Sequence, residues 1–353
     1  MPYVFDSLPS QTDMFPTTEV STESYVSSSF APFVTNTSSS NCTYKENFKR
    51  VLLPAVYSVV FVLGVPLNAA VIVKIWRSKR SLSVNVYMLN LAIADFLYVM
   101  SLPLPIYNYA SADYWPFGEF ACKLVKFQFY SNLHGSILFL TCITMQRYMG
   151  ICYPFSARSN HGGCRMAWRI CAGVWLVVAI LCAPTFHFAT TGIQRNRTVC
   201  YDLSMPGRSA DYFPYGMALT VIGFLLPFLG VIMCYCRMAV VLCQNTSSQG
   251  ASKVLAEKRD RAVKMIIIVA VVFCISFLPF HLTKTIYLVV RSLPGTRCET
   301  RNLFSVIFKS TRPFASMNSI LDPILFYFTR PKYRETIRRS MLSAATYKMK
   351  SSS

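Results

Sequence analysis

An all-α membrane protein, a bundle of seven transmembrane helices followed by a short cytoplasmic amphipathic helix, is the fold class that this sequence predicts. Three observations predict it. The 353-residue chain is 53% hydrophobic and 14% charged, with a mean hydropathy of +0.39, whereas soluble domains carry about 25% charged residues. A span needs ~20 mostly apolar residues, and seven such runs follow one another at about 52–75, 84–108, 120–152, 166–188, 213–242, 262–290 and 303–328. The net charge of +20 is concentrated in the linkers between them.

Residues 1–50 precede the first span. They are rich in Ser and Thr, show no apolar signal-peptide core in their first 40 positions, and read as an extracellular disordered tail. Basic residues crowd the linker after the first span (Lys74, Arg77, Lys79, Arg80) and after the third (Arg158, Arg165, Arg169). They recur before the sixth (Lys258, Arg259, Arg261, Lys264) and after the seventh (Arg330, Lys332, Arg334, Arg338, Arg339). The positive-inside rule makes these regions cytoplasmic. An odd number of spans then leaves the N-terminus outside, in a multi-pass protein of the plasma membrane. The charge is thus a topology signal, and nucleic acid is excluded as a partner.

On this topology the sequons at Asn36, Asn41 and Asn196 face outward and are open to glycosylation, while the one at Asn245 faces inward. Of 13 cysteines only Cys42, Cys122, Cys200 and Cys298 map to the outer face. Four thiols in an oxidising compartment allow three pairings, and the remaining cysteines stay reduced. The transmembrane domain spans 51–329. In the 330–353 tail, Tyr333, Ile337 and Met341 recur at four-residue steps among basic residues, an amphipathic helix lying on inner-leaflet lipid.

Within the spans, Pro66, Pro103, Pro105, Pro184, Pro227, Pro279 and Pro323 each remove a backbone hydrogen bond and are expected to kink their helices. No internal repeat of the kind that builds many transporters is present. The polar residues at membrane depth carry the chemistry. Asn68, Asp95, Ser136, Asn318, Ser319 and Asp322 lie inside apolar runs, where an unpaired carboxylate costs a few kcal/mol. Two readings stay open: a hard cation such as Na⁺ held by Asp95, Ser136 and Asp322, or a hydrogen-bonded cluster with neutralised carboxyls. No other cofactor is expected.

In the sixth span His281-Leu282-Thr283-Lys284, and in the seventh Lys309-Ser310-Thr311-Arg312, each present two titratable side chains at i and i+3, on one helix face. Lys126, near the outer end of the third span, adds another cation. Cations on adjacent spans predict a cavity for an anion, rather than side chains that merely snorkel to headgroups. Arg grips phosphate bidentately and Lys acts as a mobile charge. Tyr130, Phe127, Phe277 and Tyr287 are candidates for flat contacts, although aromatics at helical spacing more often serve as core. The chain has no phosphate loop, no His-Glu-x-x-His and no nucleophile elbow, so it is not read as an enzyme. An anion transporter or channel is the rival class, since it would use the same intramembrane cations.

The ordered set Asn68, Leu91-Ala-Ile-Ala-Asp95, Met145-Gln146-Arg147-Tyr148, Trp175, Pro227, Phe273-Cys-Ile-Ser-Phe277-Leu-Pro279 and Asn318-Ser-Ile-Leu-Asp322-Pro323 resembles the rhodopsin-like G-protein-coupled receptors over about 45–345. Finer runs resemble the metabotropic nucleotide receptors of the P2Y group: Phe277-Leu-Pro-Phe-His281-Leu-Thr-Lys284, Lys309-Ser-Thr-Arg312-Pro-Phe, and Cys42 with Cys298. Gly192 through Asp202 and Tyr215 through Gly223 look most like the member preferring uridine diphosphate.

The resemblance implies disulfides Cys122–Cys200 and Cys42–Cys298, and an extracellular nucleotide agonist: uridine diphosphate first, with uridine triphosphate or adenosine diphosphate as alternatives. It implies a ligand site of Lys126, Tyr130, Asp202, His281, Lys284, Lys309 and Arg312. It also implies a switch through Phe277, Pro279 and Pro323 that opens a pocket at Arg147 and Tyr148 for a heterotrimeric G protein of the phospholipase-C-activating, calcium-raising class. Three departures stand out. Gln146 replaces the usual acid before Arg147, Phe277 replaces a Trp, and Phe326 takes the usual tyrosine position with Tyr327 one residue later.

Overall fold

The computed structural model describes residues 48–78, 82–153, 163–194, 196–201, 209–244 and 253–328, all within one compact unit, Cys42–Ser353. The first span is α1 (Lys49–Trp76); the second is α2 (Ser83–Ser101) continued by α3 (Pro103–Ala110); the third is α4 (Gly118–Cys152). The fourth is α5 (Gly163–Cys182) with the short α6 (Thr185–Phe188). A hairpin, β1 (Thr191–Gln194) and β2 (Arg197–Cys200), follows it. The fifth comprises α7 (Ser209–Thr220), a π-helical turn (Val221–Leu225) and α8 (Leu226–Gln244); the sixth is α9 (Lys253–Ser292) and the seventh α10 (Cys298–Phe328).

The expected kinks divide into two kinds. At Leu102–Pro103 and at Pro184 the helix is interrupted, whereas Pro66, Pro279 and Pro323 sit inside continuous helices. In the fifth span the distortion is the π turn that precedes Pro227. The C-terminal amphipathic helix lies outside the described residues, as do Asn36, Asn41, Cys42 and Asp202.

Five of the seven spans are long and apolar enough to cross a membrane by composition alone. The third and seventh fall short because they carry the interior's polar groups. Those groups face inward: Lys126, Asn132, His134 and Ser136 on α4, and Arg312, Asn318, Ser319 and Asp322 on α10, are all buried.

α4 runs through the middle of the bundle, packing on α2, α5 and α8, while α10 closes the ring against α9 and α1. One apolar core fills the interior. A smaller one joins the first two spans through Leu53, Tyr57, Tyr98 and Tyr109. Above it the Lys49 ammonium meets the Asp113 carboxylate at 2.8 Å.

The Cys122–Cys200 disulfide ties the hairpin to the N-terminal end of α4. β1 and β2 are antiparallel, with Thr191 opposite Cys200 and Gln194 opposite Arg197. Asn196 takes the left-handed conformation (φ 61°) at the turn, one that Asn tolerates better than most residues, and it is exposed. Trp115 is buried beside the disulfide. Its indole donates to Gly118 O at 2.7 Å, and its backbone N–H donates to Thr198 O. Cys298 is disulfide-bonded; Cys42, its expected partner, is outside the described residues.

Candidate functional site

The cations predicted from the sixth and seventh spans lie toward the end of the bundle that holds the Cys122–Cys200 disulfide. The i, i+3 spacing turns His281 and Lys284 inward from α9, and both are buried. Lys284 has no exposed surface. Its Nζ lies 4.8 Å from the centroid of the Tyr130 ring and has no hydrogen-bond partner among the described residues. Arg312 is buried on α10. Its guanidinium carbon lies 5.6 Å from the Phe129 ring and 5.4 Å from the Phe308 ring, and Nη1 donates to the Tyr109 hydroxyl at 2.9 Å. Lys126 is buried on α4 and Lys309 half-buried on α10. Between the two basic pairs, the Thr283 and Thr311 hydroxyls meet at 2.7 Å, which joins α9 to α10 at the level of the site.

A ring system underlies Lys284. His281 lies flat on Phe224 at 4.2 Å between centroids, and 5.6 Å from His134, whose ring stacks beside Tyr130. His134 Nδ1 is 3.3 Å from Gly223 O. That carbonyl is available because the residue four positions on is Pro227, which has no N–H to donate, and the π turn redirects the neighbouring bond from Leu226 N–H to Val221 O. Gly223 is also required sterically, since a Cβ there would stand 2.5 Å from His134 Nδ1. His134 Nε2 and both His281 nitrogens have no hydrogen-bond partner among the described residues.

The candidate flat contacts divide. Tyr130 faces the ammonium, but Phe127 packs on Phe186 at 5.0 Å, Phe277 edge-on against Phe273 at 5.0 Å, and Tyr287 stacks on Phe308 at 5.4 Å. Each of these three packs on another ring, as helical spacing alone favours.

A second polar centre lies deeper. Ser319 Oγ donates to Asp95 Oδ1 at 2.8 Å, Asn132 Nδ2 donates to Ser319 Oγ at 3.1 Å, and Asn68 Nδ2 donates to Ser319 O at 2.8 Å. Asp95 and Asp322 line a small cavity with Asn68, Met88 and Phe326. Asp95 Oδ2, both Asp322 oxygens and Ser136 Oγ lack partners among the described residues.

At the C-terminal end of α4, Thr144, one turn before Arg147, meets the Tyr235 hydroxyl at 3.3 Å, and Arg147 is half-buried. Tyr148 packs edge-on against Tyr153. Phe326 is buried, while the neighbouring Tyr327 ring lies under Lys74 Nζ of the first span at 5.1 Å. Tyr327 therefore does not take the interior tyrosine's place. A one-residue step turns a helical side chain by about 100°.

The sequence reading missed Tyr109, Phe129, His134, Asn132 and Gly223. For Gly223 a signal existed, because a proline four residues later frees its carbonyl. For Tyr109 none did, because its partner lies 203 positions away.

Seven helical spans around a polar interior, with a disulfide from the third span to the hairpin, define a class. Residues 67–326 match the family described as the 7 transmembrane receptor (rhodopsin family), and the chain belongs to it. Within it the chain falls among the P2Y purinoceptors. It is 62% identical over 299 residues to P2Y purinoceptor 3 of Meleagris gallopavo, covering 84% of this chain and 90% of that receptor. It is 61% identical to P2Y purinoceptor 6 of Rattus norvegicus and 59% identical to that of Homo sapiens, each over 294 residues, covering 83% of this chain and 89% of the receptor. The protein is a receptor and not an enzyme, a multi-pass protein of the plasma membrane.

Proposed function

We propose that this receptor is activated by an extracellular nucleotide, uridine diphosphate foremost, and couples through a heterotrimeric G protein to phospholipase C and cytosolic calcium. The observation that carries the reading is Lys284. A fully buried ammonium with no hydrogen-bond acceptor among the described residues, with Arg312 buried on the neighbouring α10, is a site made for a multiply charged anion. Buried cations of this kind are costly unless paired, and a diphosphate offers several anionic oxygens. The purinoceptor relatives support a nucleotide as its carrier.

In this reading the phosphates draw the outer ends of the third, sixth and seventh spans together. A pivot at Phe277 and Pro279 moves the inner end of the sixth span outward, with Pro323 easing the seventh. The opened face presents Arg147 and Tyr148 to the G protein. The N-terminus is outside, where exposed Asn196 accepts a glycan. The Asp95–Asp322 cavity, where Asp95 Oδ2 and both Asp322 oxygens receive no hydrogen bond from a donor among the described residues, holds a Na⁺ ion that, with Ser136, ties the second, third and seventh spans in the resting arrangement.

Calcium dose–response curves with uridine diphosphate, uridine triphosphate and adenosine diphosphate test the agonist. The expected order places uridine diphosphate first. Silence to all three, or uptake of labelled nucleotide into vesicles without G-protein nucleotide exchange, would overturn the reading in favour of a transporter.

A further inference from the structure

We infer that Tyr109 is a positioning residue for the agonist, its phenol oxygen setting the orientation in which Arg312 meets phosphate. The inference rests on the anion site proposed above. An arginine side chain is long, and gripping phosphate with its fork requires a fixed plane. The faces of Phe129 and Phe308, 5.6 and 5.4 Å from the guanidinium carbon, attract the cation but offer no directional acceptor. The Tyr109 hydroxyl does, accepting from Nη1 at 2.9 Å. Tyr109 and Arg312 are both buried, 3% and 4% exposed, so this contact is made away from bulk water, where a charge-assisted bond is strongest.

Tyr109 is itself held from two sides. Its ring packs against Tyr57 of the first span at 6.1 Å. Its helix, α3, is a separate eight-residue unit beginning at Pro103. Just past the end of α3, Ala112 and Asp113 both take left-handed φ values of 58° and 66°. This turn brings the Asp113 carboxylate to Lys49 at 2.8 Å and its backbone N–H to Asn108 O at 2.8 Å. The first span thus anchors α3, α3 presents Tyr109, and Tyr109 orients Arg312. A guanidinium oriented beforehand gives up less freedom when the anion arrives. Phenylalanine at position 109 would keep the packing on Tyr57 and remove only the acceptor.

The test is Tyr109→Phe in the full-length receptor at matched surface expression, read as calcium dose–response curves to uridine diphosphate and uridine monophosphate. Potency for the diphosphate should fall by about three- to tenfold, a part of what a charge-assisted contact contributes, with the maximal response kept. The diphosphate-to-monophosphate potency ratio should fall too, because a fork out of plane costs most where two phosphates must be gripped. A general packing defect would lower both potencies equally. In an Arg312→Met background the Tyr109→Phe shift should vanish. An unshifted curve, an unchanged ratio, or a shift of equal size without Arg312 would each overturn the positioning role while leaving the nucleotide reading intact. A wild-type receptor silent to nucleotides would overturn both.

Discussion

A methyl group added at Gly223 meets the face of an imidazole. The Cβ of alanine at this position would stand 2.5, 2.8 and 3.2 Å from Nδ1, Cε1 and Cγ of His134, so the ring has to withdraw by roughly 1 Å to reach ordinary contact. It has little room, since Tyr130 and His281 stand on its other sides. Overpacking of this kind costs ~1–3 kcal/mol, and the displaced Nδ1 also loses its bond to Gly223 O, ~0.5–1.5 kcal/mol net. Alanine's better helix propensity returns ~1 kcal/mol. The balance is a net destabilisation of about 0.5–3.5 kcal/mol. Unfolding of the detergent-solubilised receptor, followed by tryptophan fluorescence, should therefore show a lower midpoint for Gly223→Ala. In a His134→Ala background the same substitution meets no ring, and it should be neutral or mildly stabilising. If Gly223→Ala is as stable as the wild type with His134 present, or equally damaging without it, the steric account of the third-to-fifth-span contact is wrong.

Other outcomes follow from the same geometry. Lys284→Ala and Arg312→Ala should each lower nucleotide potency by about 10- to 150-fold, from ~1.5–3 kcal/mol per charge-assisted contact, with Arg312→Lys recovering part; dose–response curves at matched expression decide this, and unchanged potency in both alanine variants would remove the anion site. Gln146→Glu should lower agonist-independent inositol phosphate formation by supplying Arg147 with a partly exposed ion pair of ~0.2–1 kcal/mol, measured after enzymatic removal of released nucleotide; unchanged or raised basal signalling would show that Gln146 already restrains Arg147. Replacing Na⁺ by choline should lower the unfolding midpoint of the wild-type receptor, because an ion bound only to the folded state stabilises it. Asp322→Asn should abolish that difference, and a midpoint insensitive to Na⁺ would leave a hydrogen-bonded cluster in the ion's place.

Much of this architecture was legible because the relevant patterns are local. Apolar runs located every span, although the sixth and seventh helices begin nine and five residues before the runs do, at Lys253 and Cys298, and i, i+3 spacing placed His281 with Lys284, and Lys309 with Arg312, on one face of each helix. Proline flagged the breaks at Leu102–Pro103 and Pro184, although nothing in the residue itself separates those from Pro279 and Pro323, which the surrounding packing keeps inside continuous helices. The contacts that complete the site were not legible. Tyr109 reaches Arg312, and His134 reaches Gly223, only once distant helices are set side by side. Aromatic spacing likewise does not separate Tyr130, which faces a cation, from Phe127, which faces another ring.

α4 and α10, the two spans that fall short of membrane-crossing composition, share the site with α9, and this bears on how the receptor is made. Each charge at the centre of a lone helix opposes insertion by ~2.5–3.5 kcal/mol on translocon scales, so neither segment is suited to leave the translocon into lipid unaided. α10, which emerges last, carries Lys309, Arg312 and Asp322, while the groups that shelter it, Asn68, Asp95, Tyr109 and Thr283, are already synthesised on earlier spans. Membrane integration and assembly of the binding site are then one event. A substitution that removes a sheltering partner is expected to reduce the fraction of receptor that leaves the endoplasmic reticulum, in addition to any loss of response at the cell surface.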